Sequence, residues 1–275
     1  MKQKNVIGVG MSLLMLISLL GCIGRKSGEK NTLTLAGSTT VEPIVTQAAE
    51  AYMEKHSDAK VTVQGGGSGT GIKMVGEGSV DIGNASRPIK DSEKELYTEL
   101  VGTVIARDAI AIIVHPSNPV SNLSMEDLQD IYAGTITNWN EVGGQDKEIV
   151  VVTRAEGSGT RDTFIEFVMK DGEIEETPKV FQKPSNGAVK ATVAGNENAI
   201  GYIGLGYMDS SVKTEKINGV IPSSATINDG SYPISRTLFM YMQGQPSGLA
   251  KEFLEFVLNS EGQDIVEEIG YIRVD

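Results

Sequence analysis

Three times along this chain a short β-branched apolar run ends in a glycine turn, a hydroxyl residue follows, and a segment of helical period begins. Residues 33–36 lead into Gly37-Ser38-Thr39-Thr40 and a helical pattern over 41–56, with Ile44, Ala48, Ala51 and Tyr52 on one side. Residues 61–64 lead into Gly65-Gly66-Gly67-Ser68-Gly69-Thr70-Gly71 and a short helix over 71–75. Residues 149–154 lead into Glu156-Gly157-Ser158-Gly159-Thr160 and a helix over 162–169. Strands alternating with helices predict α/β architecture with mainly parallel sheets. The turns also carry chemistry. The first N–H groups of a helix have no intrahelical partner and sit at the positive end of its dipole. Glycine lets backbone approach a ligand closely, and serine and threonine add donors. One such turn is an ordinary helix cap; three in one chain point to a small-anion site.

The remaining pattern is consistent with that fold. Residues 104–115 form an apolar run expected as a strand buried on both faces. Ser124 with Asp127 reads as a capping box that starts a helix to Tyr132. Strands are expected over 199–205 and 238–242, and closing helices over 249–258 and 263–269. With no long low-complexity linker, two lobes would require the chain to cross between them more than once.

Two arginines strengthen the anion reading. Arg154 precedes the third turn, and Arg87 follows Ser86 in Gly83-Asn84-Ala85-Ser86-Arg87-Pro88, after an apparent strand over 80–82. A guanidinium presents a planar fork that matches two oxygens of phosphate or sulfate. The alternative for each is a surface ion pair, and Glu156 is an obvious partner for Arg154. The net charge of −12 argues against nucleic acid as a partner. A small anion can still be held by neutral dipoles and one or two arginines in a water-poor cleft.

Other chemistries fail on residue order. Lys73 follows Ile72, so the glycine-rich stretch is not a nucleotide loop, and Thr70 and Thr160 stand where a serine-hydrolase elbow needs glycine. His56 ends a helix and His115 precedes Pro116; both read as surface or packing residues. With these two histidines and one cysteine there is no zinc-ligand spacing and no intramolecular disulfide. No catalytic residue, metal or cofactor is expected.

At the start, Lys2 and Lys4 precede an apolar run over 6–20 and then Leu19-Leu20-Gly21-Cys22. This layout is that of a secretory signal and resembles the lipobox of exported lipoproteins. It implies a signal peptide over 1–21, lipidation of Cys22, a polar tether over 22–30, and a location on the outer face of the cell membrane. An uncleaved anchor helix is the alternative. Cleavage before Cys22 removes two lysines and no acids, leaving 22 basic against 36 acidic residues, a charge of −14.

Taken together, Gly37-Ser38-Thr39-Thr40-Val41-Glu42-Pro43, Gly67-Ser68-Gly69-Thr70-Gly71, Asp81-Ile82-Gly83-Asn84-Ala85-Ser86-Arg87, Ile131-Tyr132-Ala133-Gly134-Thr135-Ile136-Thr137-Asn138-Trp139, Arg154-Ala155-Glu156-Gly157-Ser158-Gly159-Thr160-Arg161, Ile200-Gly201-Tyr202 and Ser260-Glu261-Gly262-Gln263 resemble the phosphate-binding proteins of ABC importers over nearly the whole mature chain. The resemblance implies a two-lobed type II periplasmic-binding-protein fold with a ligand cleft between the lobes. One lobe would comprise residues 31–108 and 227–275, the other 109–226. It implies a monomer that captures inorganic phosphate and delivers it to an ABC permease. Thr39, Ser68, Arg154, Ser158, Gly159 and Thr160 would contact the anion, with Ser38 in the same first turn. Some members carry an aspartate where this chain has Ser86; that carboxylate accepts a proton from phosphate and repels sulfate. Here Ser86 and Arg87 would supply donors instead, which leaves sulfate, molybdate or tungstate as alternative ligands. A surface sensor or a phosphatase are the more distant readings.

Overall fold

The computed structural model describes residues 31–275; the expected signal peptide, Cys22 and the expected tether lie outside the described residues. The strands are β1 (Thr32–Gly37), β2 (Lys60–Gly65), β3 (Ile82–Ala85), β4 (Leu100–Val114), β5 (Asn122–Leu123), β6 (Val150–Arg154), β7 (Phe181–Lys183), β8 (Ala199–Gly204), β9 (Lys213–Thr214), β10 (Lys216–Ile217) and β11 (Ser235–Gln243). The helices are α1 (Glu42–Lys55), α2 (Ser68–Gly76), α3 (Asp91–Leu96), α4 (Met125–Ala133), α5 (Gly159–Phe167), α6 (Asn186–Ala194), α7 (Ser224–Asn228), α8 (Gly248–Leu258) and α9 (Ser260–Glu268).

One continuous sheet runs β2-β1-β3-β11-β4-β8-β6-β7, with β9 alongside β4. Its two ends are parallel, β1 between β2 and β3 on one side and β6 between β7 and β8 on the other. The middle is antiparallel: β11 pairs with β3 and β4, and β4 pairs with β8. The expectation of a mainly parallel sheet is corrected here. The chain returns from the second lobe to the first through β11, which therefore runs against its neighbours.

β4 explains how one sheet serves two lobes. Its first part, Leu100 to Ala109, pairs with β11, and its last part, Ile110 to Val114, pairs with β8. Ile110 to Val114 are fully buried, as expected for a strand covered on both faces. Ile105 and Ala106 pack in one core with Leu35, Ile44, Tyr52, Leu238 and Phe253. Ala109 and Ile110 pack in another with Tyr132, Phe164, Tyr202 and Ile234. The cores therefore part at Arg107-Asp108 on β4 and at residues 235–237 on β11. The expected second boundary, between 226 and 227, lies too early, because Ile227, Tyr232 and Ile234 pack in the second core.

Local signals account for most element ends. α1 begins with Glu42 and Pro43 in its first turn, a favourable acid and a residue that needs no N–H partner there. α4 has the expected capping box, with Ser124 Oγ accepting from Asp127 N and Asp127 accepting from Ser124 N; Gly134 ends it in the left-handed region. α2 starts three residues earlier than its periodicity predicts, at Ser68. Seven of the named elements have no counterpart in the periodicity of the sequence: the short strands β5, β7, β9 and β10 and the helices α3, α6 and α7. Trp139 is a core residue whose Nε1 donates to the Asn198 carbonyl.

Candidate anion site

The three glycine-hydroxyl turns meet at the carboxyl ends of parallel strands, where open α/β sheets bind ligands. β1 and β2 of the first lobe end at Gly37 and Gly65, and β6 of the second ends at Arg154. α2 and α5 start directly behind, at Ser68 and Gly159, and α1 follows its turn at Glu42. A fourth helix start joins them: α6, capped by Ser185, follows β7 and opens with Asn186.

The turns from opposite lobes touch. Gly69 N donates to the Gly157 carbonyl at 3.0 Å, and Thr40 Oγ1 lies 3.0 Å from Thr160 Oγ1. A side chain at Gly159 has no room: a Cβ there would stand 2.3 Å from Ser68 Oγ and 2.7 Å from Ser86 Oγ. Tyr207, from the second lobe, donates its hydroxyl to the Thr39 carbonyl at 2.6 Å. The lobes are thus in a closed arrangement with the hydroxyls sandwiched between them.

Arg154 is the centre of the site. It is 1% exposed, on the last residue of β6. Its Nη2 donates to Thr39 Oγ1 at 3.2 Å and to the Pro184 carbonyl at 3.1 Å, and its Nε donates to the Lys183 carbonyl at 3.3 Å. Its Nη1 is buried without a hydrogen-bond partner. Burial, with Arg236 nearby, lowers its pKa to about 10, so it remains a cation at neutral pH. Among the described residues no carboxylate contacts its guanidinium; Glu156, the neighbour suggested by sequence, is exposed and does not pair with it. A buried cation with an unmatched donor is costly unless an anion meets it.

The other sequence-derived residues divide into groups. Thr39, Ser68, Ser86, Ser158, Gly159 and Thr160 are brought together around this point. Ser68 Oγ accepts from Ser86 N at 3.0 Å and lies 3.3 Å from Ser86 Oγ; Ser158 caps α5 by accepting from Arg161 N. Ser38 is buried, but its Oγ accepts from Thr40 N and its N–H donates to the Asn84 carbonyl, so it shapes the turn. Arg87 is placed differently from the reading of its fork as an anion donor. Its Nη1 and Nη2 each meet Glu93 at 2.7 Å, and its Nε meets Asp162 of the second lobe at 2.7 Å. It serves as a bidentate ion pair that also bridges the lobes.

Sequence reasoning missed Arg236, Asp108, Thr40 and Asn186. Arg236 Nε and Nη2 meet Asp108 Oδ2 at 2.9 and 2.7 Å, Nη2 also reaches Thr40 Oγ1 at 3.2 Å, and Nη1 reaches Ser86 Oγ at 3.4 Å. Burial pushes the Asp108 carboxyl up, and Arg236 opposes that shift. Asp108 is thus matched by Arg236, and among the described residues the Arg154 guanidinium has no carboxylate partner.

A closed two-lobed sheet with helix starts and a buried arginine at the seam defines the solute-binding class of protein. A family model described as PBP superfamily domain matches residues 25–261. Phosphate-binding protein PstS of Bacillus subtilis is 38% identical over 253 residues, covering 90% of this chain and 83% of that protein. A structure from Clostridium perfringens described as a phosphate ABC transporter substrate-binding protein with bound phosphate shares 40% identity and a TM-score of 0.85, covering 89% of this chain and all of that one. An ABC-type phosphate transport receptor from Vibrio cholerae shares 36% identity and a TM-score of 0.72, covering 87% of this chain and 99% of that one. The chain belongs to the PBP superfamily, in the family of these phosphate-binding proteins.

Proposed function

We propose that this chain is an extracytoplasmic binding protein that captures inorganic phosphate and delivers it to an ABC permease. The observation that carries the reading is Arg154, a fully buried guanidinium with a donor unmatched by protein, set among hydroxyls and helix starts from both lobes. The names of the relatives agree with phosphate as the anion. Thr39, Ser68, Ser86, Arg154, Ser158, Gly159 and Thr160 form the ligand set, with Ser38 as a turn residue. Arg87 leaves that set and acts as a latch through Asp162. The protein works as a monomer, by closure: the anion binds the closed state better than the open one, and the closed form docks on the permease. No covalent step is required.

The site itself favours oxyanions in general, so the deciding experiment is equilibrium dialysis of radiolabelled phosphate against purified residues 31–275. Unlabelled sulfate, molybdate and tungstate serve as competitors. Displacement only by unlabelled phosphate supports the reading; displacement by another oxyanion at lower concentration replaces the substrate and keeps the site.

Among the described residues no helix is long and apolar enough to cross a membrane. Attachment is assigned to a lipid on Cys22. Cys22→Ser should abolish metabolic labelling with a fatty acid and leave phosphate affinity unchanged; undiminished labelling of the variant would remove the anchor assignment.

A further inference from the structure

Asn186 is the first residue of α6 and is fully buried. Its Oδ1 accepts from Gly204 N at 3.3 Å, an obligate donor, which sets the orientation of the amide. Its Nδ2 then directs one hydrogen to Thr39 Oγ1 at 3.2 Å and the other to Thr40 Oγ1 at 3.0 Å. Each threonine oxygen also receives a guanidinium hydrogen, Thr39 from Arg154 Nη2 and Thr40 from Arg236 Nη2, both at 3.2 Å. A hydroxyl has two acceptor lone pairs and one proton. With both lone pairs filled, each of these hydroxyls can only donate. Thr40 donates to Thr160 Oγ1, 3.0 Å away, and Thr160 directs its own proton onward. Thr39 keeps its proton for whatever Arg154 holds.

We infer that Asn186 is a positioning residue: it locks Thr39 and Thr40 as donors and so sets the site to take the least protonated form of its oxyanion. The inference rests on the anion-site reading above. A protonated ligand oxygen needs an acceptor, and the carboxylate bonded into the hydroxyl cluster, Asp108, already receives Arg236 on Oδ2 and Leu205 N on Oδ1. The charged and titratable groups that face these hydroxyls are Arg154 from β6, Arg236 from β11, Asp108 from β4, Glu42 from α1, Tyr207 from the turn after β8, and Tyr271 near the C-terminus. Tyr271 donates to the Thr40 carbonyl. Burial raises Tyr207 to about 12 and Tyr271 well above its ordinary value, and Arg154 stays cationic. Glu42, raised by burial, shares the face of Thr39: a Cβ at Gly65 would meet Glu42 Oε2 at 2.8 Å and Thr39 Cγ2 at 3.3 Å. It is controlled with Glu42→Gln.

The test is phosphate affinity by calorimetry between about pH 6 and about pH 8, across the second ionisation of phosphate, for the wild-type protein, Asn186→Ala and Asn186→Asp, each measured with and without Glu42→Gln. Wild-type affinity for total phosphate should rise severalfold with pH. In Asn186→Ala the hydroxyls regain the freedom to accept, so affinity should fall about tenfold at the high end, less at the low end, and the pH slope should flatten. Sulfate, which carries no proton in this range, should lose affinity by the factor seen for phosphate at high pH. Asn186→Asp turns two donors into acceptors and should lose more. The same pH slope in Asn186→Ala as in wild type overturns the inference, whatever the affinity. A flat or falling slope in wild type overturns it without any variant, should the substitutions not fold. Absence of oxyanion binding by the wild-type protein at any pH removes the site reading itself.

Discussion

Asp108 and Arg236 stand opposite each other in register on the two strands that carry the chain between its lobes, with Arg236 Nη2 2.7 Å from Asp108 Oδ2. The same guanidinium reaches Thr40 and Ser86. One buried ion pair therefore ties the strands that join the lobes to the anion site.

Breaking that pair should be expensive. Asp108→Asn leaves Arg236 buried without its counter-charge, and the loss of a single partner from a buried pair costs about 3–5 kcal/mol. Urea unfolding monitored by circular dichroism reads this directly. The double substitution Asp108→Leu with Arg236→Met should be more stable than either single variant, because it removes both desolvated charges. Simple addition of the two losses would show that the residues are not coupled.

Closure depends on the absence of a side chain at Gly159. Gly159→Ala should leave stability within about 1 kcal/mol of wild type, since alanine suits a helix start at least as well as glycine. Its Cβ, however, would press on Ser68 and Ser86 of the other lobe. Phosphate affinity should fall about a hundredfold, an energy of roughly 2.7 kcal/mol, and small-angle scattering with phosphate should report an open shape. Wild-type affinity in this variant would mean that the lobes do not close on the anion as described.

A second buried carboxyl lies far from the site. Glu215 is fully buried beside Lys213, whose Nζ is 3.1 Å from Oε1 but donates to the Asn118 and Val120 carbonyls. Burial raises its pKa to about 7, with Lys213 opposing. The folded state then holds this proton more tightly than the unfolded chain, so the contribution to stability is greatest at low pH. It is lost as pH rises from about 4.5 to about 7, by at most about 3 kcal/mol. Glu215→Gln should be more stable than wild type above about pH 7 and should flatten that part of the profile in thermal unfolding. An unchanged pH profile would rule out Glu215 as its source.

The parts of the site legible in the sequence are those written in contiguous residues. A glycine turn, a hydroxyl and a helix start occupy a few consecutive positions, so the turns at Ser38, Ser68 and Ser158 announce themselves, and Arg154 lies within four residues of one of them. The fourth helix start was less visible, because β7 is three residues long and shows no period before Pro184-Ser185-Asn186-Gly187. A serine followed by asparagine and an apolar periodic run is still a cap signal that would have found it. Arg236 and Asp108 carry no local signal. They meet because β11 returns antiparallel to β4, and that pairing joins residues 128 positions apart. Arg87 shows the opposite failure: its neighbours suggest a ligand fork, yet Asp162, which arrives from the other lobe, and Glu93 occupy it. The antiparallel middle of the sheet is illegible for the same reason, since strand–helix alternation predicts parallel pairing within each lobe but says nothing of the strands that join them.

Isothermal titration of phosphate into ligand-stripped wild-type protein and Arg154→Met, side by side, tests the central claim. Wild type should bind one phosphate per chain. Arg154→Met should lose about a hundredfold or more in affinity, since a hydrogen bond to a charged group contributes about 1.5–3 kcal/mol and more than one is removed. The variant should unfold at the same or a higher temperature without ligand, because a desolvated charge has gone. Equal phosphate binding by the two proteins would show that the buried guanidinium does not hold the anion, and the site would have to be sought elsewhere.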